Sequence, residues 1–300
     1  MRLTGLHLLL TYQCTFECDH CFVWGSPFQA GVMTLKDIRE ILRQAEEAGT
    51  VASIYFEGGE PFLYYPVLVQ AIRETVQRGF GAGIVSNSYW ATSVEDALEW
   101  LRPLAGLIQD LTVSSDLYHY SEEQSQQAEN ARLAAETLGI PLGTISVAQP
   151  EAVNAVAAVG QLPQGGSAVM YRGRAAEKLT PRAISFAWEQ FTACPHEDLR
   201  EPGRVHLDPY GNLHICQGIS IGNIFRTSLK TICETYEPET HPVIGPLLRG
   251  GPAELAKAYG LAPAADATYA DACHLCYETR RLLRDQFPEV LTPDGMYGAF

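Results

Sequence analysis

The first 175 residues alternate short apolar runs with segments of helical periodicity. The apolar runs predict strands at residues 6–11, 51–56, 82–86, 107–114, 142–148 and 167–171. Apolar positions three and four residues apart predict helices between them, at 34–48, 66–78, 93–102, 121–138 and, more weakly, 152–159. Thr34 and Asp37 have the spacing of a capping box, as do Ser93 and Asp96, so both helix starts are marked in the sequence.

Strands that alternate with helices at this spacing predict a parallel sheet with right-handed crossovers. Six strands fit an incomplete barrel better than a closed barrel of eight strands, which usually needs about 250 residues. The expected fold class is therefore α/β, with a partial (β/α)6 TIM-like barrel.

The pattern changes after Gly173. Predicted strands at 204–207 and 213–216 flank a turn sequence at 208–212, which indicates a β-hairpin. A helix is expected at 227–236, a Pro/Gly-rich connection at 238–263, and a closing helix at about 277–287. We expect a core at 1–175, a linker at 176–193, a second domain at 194–288 and a tail at 289–300.

Composition narrows the class of protein. The hydrophobic content of 46% is enough for a full core, and the net charge of −14 disfavours binding to nucleic acid through its phosphates. The first ten residues are too short for a membrane span and have no signal-peptide cleavage site. The expectation is a cytoplasmic protein that binds neither nucleic acid nor membrane.

Eight cysteines fall into two groups and one single residue, Cys233. Grouped cysteines in an intracellular chain favour metal binding over disulfides. Cys233 shares a predicted helix face with apolar residues, which favours a core thiol; a ligand or hydrogen-donor role is the alternative. The two groups are Cys14, Cys18 and Cys21, and Cys194, Cys216, Cys273 and Cys276.

The first group lies in one short loop after the first predicted strand. Three thiolates can hold three irons of a cubane and leave the fourth iron open, whereas structural clusters normally use four cysteines. A structural zinc loop made of Cys14, Cys18, Cys21 and His20 is the alternative.

Cys-x-x-x-Cys-x-x-Cys after the first strand, with Gly58, Gly59, Glu60 and Pro61 after the second, resembles the radical SAM superfamily over about residues 3–175. The resemblance implies a 4Fe–4S cluster whose open iron chelates S-adenosylmethionine (SAM), with the backbone of residues 58–61 at its amino group. It also implies reductive cleavage to a 5′-deoxyadenosyl radical, hydrogen abstraction from a substrate, oxygen sensitivity, and an electron donor such as flavodoxin or ferredoxin.

Further contacts follow from the same resemblance. Polar residues after the third and fourth strands would contact the ribose or the methionine carboxylate of SAM: Ser86, Asn87, Ser114 and Asp116. Ordinary turn chemistry explains them equally well. Arg172 at the sixth strand could bind a carboxylate, sharing a face with Arg174 if the strand continues, and a surface salt bridge is the alternative.

Cys194, Cys216, Cys273 and Cys276 resemble the Twitch form of the SPASM/Twitch extension over about residues 194–280. That resemblance implies one auxiliary 4Fe–4S cluster. Four thiolates on a hairpin and a helix also describe a structural zinc ribbon, and spacing does not separate zinc from iron.

Together the two groups predict an enzyme that oxidises a small molecule or a peptide side chain and passes an electron to the auxiliary cluster. Asp116 or His119 is the candidate base. The alternatives are a non-catalytic iron–sulfur carrier or sensor, a redox-neutral radical SAM enzyme with structural zinc, and a relative that transfers a methyl or aminocarboxypropyl group.

Overall fold

The computed structural model describes residues 1–121, 125–152 and 166–299. Within them, strands are β1 (Gly5–Thr11), β2 (Ser53–Gly58), β3 (Gly81–Ser86), β4 (Ile108–Ser114), β5 (Leu142–Val147), β6 (Gly166–Ser167), β7 (Phe186–Ala187), β8 (Arg204–Leu207), β9 (Asn212–Cys216), β10 (Ile219–Asn223) and β11 (Thr268–Tyr269). Helices are α1 (Leu35–Ala48), α2 (Tyr65–Gln77), α3 (Val94–Leu101), α4 (Gln126–Thr137), α5 (Arg174–Lys178), α6 (Leu229–Thr235), α7 (Ile244–Ala258) and α8 (Ala272–Leu283). Short 3-10 helices cover Pro61–Tyr64, Arg102–Leu104, Thr180–Arg182, Trp188–Gln190 and Asp294–Tyr297.

One sheet of nine strands runs in the order β10-β9-β8-β1-β2-β3-β4-β5-β6. Strands β1 to β6 pair in parallel, as the strand–helix alternation predicts. The α/β class and the partial TIM-like barrel are thereby confirmed. No helix in the described residues is both long enough and apolar enough to cross a bilayer.

The two faces of this sheet differ in chemistry. One face packs against the helices in the main hydrophobic core, through residues such as Leu8, Phe56 and Leu111. Because side chains alternate along a strand, the neighbouring positions point to the opposite face. There the strands present polar or small residues, including His7, Glu57 and Gly83. This inner face borders the cavity described below.

Helix starts largely follow the sequence signals. Thr34 and Asp37 form a complete capping box on α1, and Gly49 ends that helix with a left-handed φ of 71°. Ser93 accepts a hydrogen bond from the Asp96 amide at the start of α3. Helix α4 begins later than expected, because Ser125 is its cap. Of the helix predicted at 152–159, all but the first residue lies outside the described residues.

The sixth strand is shorter than predicted. It covers only Gly166–Ser167, and the chain then turns, with the Arg172 amide donating to the Met170 carbonyl at 2.8 Å. Gly173 has a φ of 60° and starts α5. Arg172 and Arg174 therefore do not share a strand face, contrary to the expectation for a continuing strand.

The C-terminal hairpin is present and continues the main sheet. Strand β8 pairs in parallel with β1, and β9 and β10 follow in antiparallel order. The prediction of a Pro/Gly-rich connection at 238–263 is wrong in part, because this segment contains helix α7. This helix is kinked at Gly250 and Gly251, and Gly251 fits against the backbone of residues 191–193. The closing helix α8 begins at Ala272, five residues before the predicted start.

Candidate functional site

The loop after β1 carries Cys14, Cys18 and Cys21 at the edge of a cavity of about 290 Å³. All eight cysteines are free thiols. The cavity lies at the carboxyl ends of the parallel strands, where barrel folds build their sites. Its lining includes most of the residues that the sequence singles out: the three cysteines, Gly58, Gly59, Ser86, Asn87, Ser114, His119 and Arg172.

Hydrogen-bond donors surround the three thiols. The Phe16 amide lies 3.4 Å from Sγ of Cys14, and the Gly25 amide lies 3.2 Å from Sγ of Cys21. Nδ2 of Asn87 reaches Cys14 Sγ at 3.5 Å. Burial raises the pKa of Cys14 to about 12 and outweighs these donors, so the bare thiol stays protonated at neutral pH. Metal ligation is what would deprotonate such a group.

The glycines of the Gly-Gly-Glu-Pro motif bring β2 onto the cysteine loop. A Cβ on Gly59 would lie 2.0 Å from the Gln13 carbonyl oxygen, and one on Gly58 would lie 2.3 Å from the Thr11 carbonyl oxygen. The Gly59 amide donates to Thr11 O at 2.7 Å. Only glycine permits this approach, which fixes the start of the cysteine loop.

Glu60 supports the site from behind the cavity wall. Its buried carboxylate accepts hydrogen bonds from Ser86 Oγ at 3.0 Å, the Asn87 amide at 2.8 Å and the Phe62 amide at 3.0 Å. Neither Glu60 nor Pro61 is among the described residues that line the cavity. Glu60 is therefore a positioning residue in this structure, because it holds the residues that reach the thiols.

Arg174 holds the cysteine loop from the other side. Its guanidinium donates to the carbonyls of Cys18 and Gly25, both at 2.8 Å, and its amide donates to Cys21 O at 2.9 Å. A Cβ on Gly173 would lie 2.6 Å from the same Cys21 carbonyl oxygen. The chain after β6 thus closes over the cysteine loop.

Asp116 and His119 form a pair beside the cysteine loop. Oδ1 of Asp116 lies 2.8 Å from Nδ1 of His119, and Oδ2 accepts the Val147 amide at 3.1 Å. Burial acts to raise the pKa of Asp116, but His119, His20 and the Val147 amide together hold the pKa below its usual value. Asp116 is 2% exposed and does not line the cavity, whereas His119 does. The aspartate therefore orients the imidazole.

His20 belongs to the same cluster, which the sequence did not reveal. Its ring lies 5.2 Å from that of His119, and its buried Nδ1 has no hydrogen-bond partner among the described residues. Burial lowers the pKa of His20 to about 4, so it is neutral at physiological pH. Its position inside the cysteine motif was the signal available in the sequence.

Cys194, Cys216, Cys273 and Cys276 line a second, smaller cavity. Cys194 follows a 3-10 helix, Cys216 ends β9, and the last two lie in the first turns of α8. Burial raises the pKa of Cys276 to about 11. Cys233 is not among the described lining residues of either cavity and packs against the main core.

Two buried arginines border the second cavity. Nη1 of Arg172 lies 3.1 Å from Cys216 Sγ and 3.2 Å from Glu197 Oε1. Arg280, which is 1% exposed, donates to the Gln217 carbonyl and also lines this cavity. Sequence reasoning missed Arg280, although its spacing of four residues after Cys276 places both on one face of a helix. Arg172 lines both cavities, so it lies between the two cysteine groups.

The part of the chain that contains the first cysteine group matches a known protein family. Residues 8–134 match the model of the Radical SAM superfamily. This part of the chain is a radical SAM domain. The match contains the first cysteine group and the Gly-Gly-Glu-Pro motif, and it ends before the second cysteine group.

Two curated relatives share the radical SAM segment. "Putative peptide biosynthesis protein YydG" of Bacillus subtilis (strain 168) is 30% identical over 122 residues, 40% of this chain and 38% of that protein. "Tungsten-containing aldehyde ferredoxin oxidoreductase cofactor-modifying protein" of Pyrococcus furiosus is 34% identical over 111 residues, 37% of this chain and 30% of that protein. The matches span less than two fifths of either relative.

Among solved structures, BtrN in complex with AdoMet and 2-DOIA is similar in fold, with a TM-score of 0.50. It is 12% identical, and the match covers 77% of this chain and 82% of that chain. The likeness concerns the fold alone, and it extends over more of the chain than the family match does.

A radical SAM domain implies a 4Fe–4S cluster and SAM, and the first cavity fits both. Three free thiols converge on it, amide donors point at two of them, and a Cβ on Gly25 would come within 3.3 Å of the Cys14 side chain. Fewer than four thiols border this cavity, in keeping with an iron left open for a ligand.

Proposed function

We propose that this chain is a radical SAM enzyme that oxidises a small molecule or a peptide side chain by two electrons. The second cysteine group would hold an auxiliary 4Fe–4S cluster that accepts one of those electrons. The position of Arg172 carries the proposal, because its side chain lines the first cavity and contacts a thiol of the second group. Substrate bound in the first cavity would then lie within a short electron path of the second.

When bound, the cluster at Cys14, Cys18 and Cys21 would supply one electron to SAM, giving methionine and a 5′-deoxyadenosyl radical that takes a hydrogen atom from a substrate C–H bond. The substrate then loses a proton from a neighbouring O–H or N–H and one electron, so a C=O or C=N bond forms. One hydrogen atom, one proton and one electron leave the substrate, which balances a two-electron oxidation. The initial electron would come from a low-potential donor such as flavodoxin or ferredoxin.

In this proposal His119 accepts the proton. Its ring lines the cavity, and Asp116 lies at Nδ1, so Nε2 is left for the substrate. An ionised Asp116 would stabilise the imidazolium that forms. Ser86, Asn87 and Ser114 lie at the same strand ends and would contact SAM.

The second site suits an electron acceptor. Four thiolates carry a large negative charge, which the buried guanidinium groups of Arg172 and Arg280 offset. Positive groups and hydrogen bonds at cluster sulfurs stabilise the reduced state and raise the reduction potential. We also propose the division of the chain into a core at 1–175, a linker at 176–193, a Twitch-like domain at 194–288 whose hairpin extends the core sheet, and a tail at 289–300.

The printed name of YydG supports a peptide as substrate. That relative is matched over only part of its length, so a small molecule stays open as the alternative.

The proposal is tested by anaerobic incubation with dithionite and SAM. We expect wild type and Cys276→Ala to form 5′-deoxyadenosine, while Cys18→Ala forms none, because only the first group would activate SAM. Cys233→Ala is the matched control, since it removes a thiol outside both cavities. Absence of 5′-deoxyadenosine from fully iron-loaded wild type would refute the proposal.

A further inference from the structure

A third group of metal-ligating side chains, which contains no cysteine, lies on the inner face of the sheet. We propose that His7, Glu57 and His206 bind one divalent transition-metal ion, such as Zn²⁺ or Fe²⁺, in the wall of the first cavity. One ligand atom from each of these residues lies within 4.8 Å of the other two. In the sequence His206 lies 149 residues after Glu57 and 199 residues after His7, so no local motif indicates the site.

Strand register brings the three residues together. Strand β1 lies between β2 and β8 and is parallel to both. His7 is directly opposite His206, and Leu9, two residues further along β1, is opposite Glu57. Because positions two apart on a strand share a face, all three side chains project from the same side of the sheet. Three neighbouring strands thus each provide one ligand.

The contact geometry suits a shared ion better than a pair of hydrogen bonds. Oε1 of Glu57 lies 2.9 Å from Nε2 of His206 and 3.3 Å from Nδ1 of His7. Despite these distances, this buried oxygen has no hydrogen-bond partner among the described residues. Both imidazoles interact with the Glu57 carboxylate, but neither ring N–H meets hydrogen-bond geometry at Oε1, and the three ligand atoms lie within 4.8 Å of one another.

The ligand types match a known class of metal centre. Two imidazoles and one carboxylate occur in catalytic zinc sites and in non-haem iron(II) sites, where the remaining positions stay open. Glu57 and the neighbouring Phe22 and Arg172 line the first cavity. An open position on this ion would face the same space as the substrate and could take its oxygen or nitrogen atom.

Neighbouring groups hold the two imidazoles in place. The ring of His7 stacks on Tyr55 at 4.8 Å with an interplanar angle of 8°. The side-chain amide nitrogen of Gln217, Nε2, lies 3.5 Å from Nδ1 of His206, and the oxygen and nitrogen of an amide are interchangeable by a flip. With its oxygen turned to the ring, this amide would accept Nδ1–H and leave Nε2 free for the metal, an arrangement typical of ligating histidines.

Zinc binding by the cluster-loaded protein tests the site without SAM turnover, so its outcome is independent of the proposed oxidation. The protein is titrated anaerobically with Zn²⁺ by calorimetry, dialysed, and analysed for zinc and iron by mass spectrometry. We expect one zinc per chain in wild type and affinity lowered by more than about 100-fold in Glu57→Gln and in His206→Asn, since a lost direct ligand costs more than a lost supporting contact.

The matched control is His241→Asn. His241 accepts the backbone amides of Val243 and Ile244 through Nδ1, a role that an asparagine side chain can fill. This variant should bind zinc like wild type, and unchanged iron content in every variant confirms that the fold and clusters are intact. The proposal would be overturned if wild type retained no zinc. It would also be overturned if Glu57→Gln and His206→Asn retained as much zinc as wild type.

Discussion

Nη1 of Arg172 lies 3.1 Å from Sγ of Cys216, although the two residues come from different parts of the chain. Arg172 follows β6 and Cys216 ends β9, at opposite regions of the nine-stranded sheet. The contact joins the wall of the first cavity to the second cysteine group. In the proposed oxidation, it places a fixed positive charge beside the electron acceptor.

Replacing Arg172 by Gln should lower the reduction potential of the auxiliary cluster. At about 4 Å and an effective dielectric constant near 20, one charge contributes up to about 4 kcal/mol, which corresponds to roughly 170 mV for one electron. Potentiometric titration followed by electron paramagnetic resonance measures the shift. Arg200→Gln, at an exposed ion pair with Glu239, is the control. Equal potentials in Arg172→Gln and wild type would contradict the assignment.

Glu60→Gln should change how stability depends on pH. Burial raises the pKa of the Glu60 carboxyl from 4.5 to about 7, and its three hydrogen-bond donors only oppose the shift. Between these values the folded chain keeps a proton that the unfolded chain releases, so this residue's contribution to stability falls as pH rises. The free energy of unfolding of wild type relative to Glu60→Gln should fall by up to about 3 kcal/mol between pH 4.5 and 7.5. Urea unfolding of the metal-free proteins measures it, and a constant difference would argue against a protonated Glu60.

Gly59→Ala should detach the Gly-Gly-Glu-Pro motif from the cysteine loop. The added Cβ would lie 2.0 Å from the Gln13 carbonyl oxygen, so one backbone segment must move. Overpacking of this kind costs about 1–3 kcal/mol or more, and the shift should also reduce iron loading at Cys14, Cys18 and Cys21. Gly203→Ala is the matched control, because among the described residues its Cβ would meet only Thr4 Oγ1, at an ordinary contact distance of 3.7 Å. Iron content measures the loss of cluster loading, and melting temperature measures the loss of stability. Wild-type values of both in Gly59→Ala would show that the close approach of residue 59 to the Gln13 backbone is not required.

His119→Gln should separate SAM cleavage from substrate oxidation. Glutamine keeps a polar group in the cavity but accepts no proton at neutral pH. The rate at which oxidised product forms should therefore fall about 100-fold or more. Formation of 5′-deoxyadenosine without substrate should persist. Asp116→Asn should show a smaller defect, because it disturbs the orientation of the imidazole rather than removing it. Product formation by His119→Gln at the wild-type rate would exclude this residue as the base.

Local signals in the sequence predict most of the barrel and both cysteine groups. The capping box at Thr34 and the left-handed Gly49 fix α1 from its own residues. The spacing of Cys14, Cys18 and Cys21 likewise needs no tertiary information. Helix α7 was missed because Pro246, Gly250 and Pro252 are strong helix-breaking signals, and the kink at Gly250 and Gly251 accommodates them.

Contacts between distant segments could not be predicted in the same way. The pairing of β8 with β1 brings His206 to His7 and Glu57, and no pattern within a single segment specifies that register. The contact of Arg172 with Cys216 depends on a chain reversal after β6 that the apolar pattern at 167–171 did not indicate. Both features are visible only once the sheet order is known.

The most direct test of the proposed oxidation is the content of iron, sulfide and zinc per chain after anaerobic purification, in wild type and in Cys273→Ala/Cys276→Ala. Two cubanes predict about eight irons in wild type and about four in the double variant, with sulfide falling in parallel. About four irons in wild type, together with one zinc that the double variant loses, would contradict the account. The second cysteine group would then be a structural zinc site, and the chemistry would be redox-neutral.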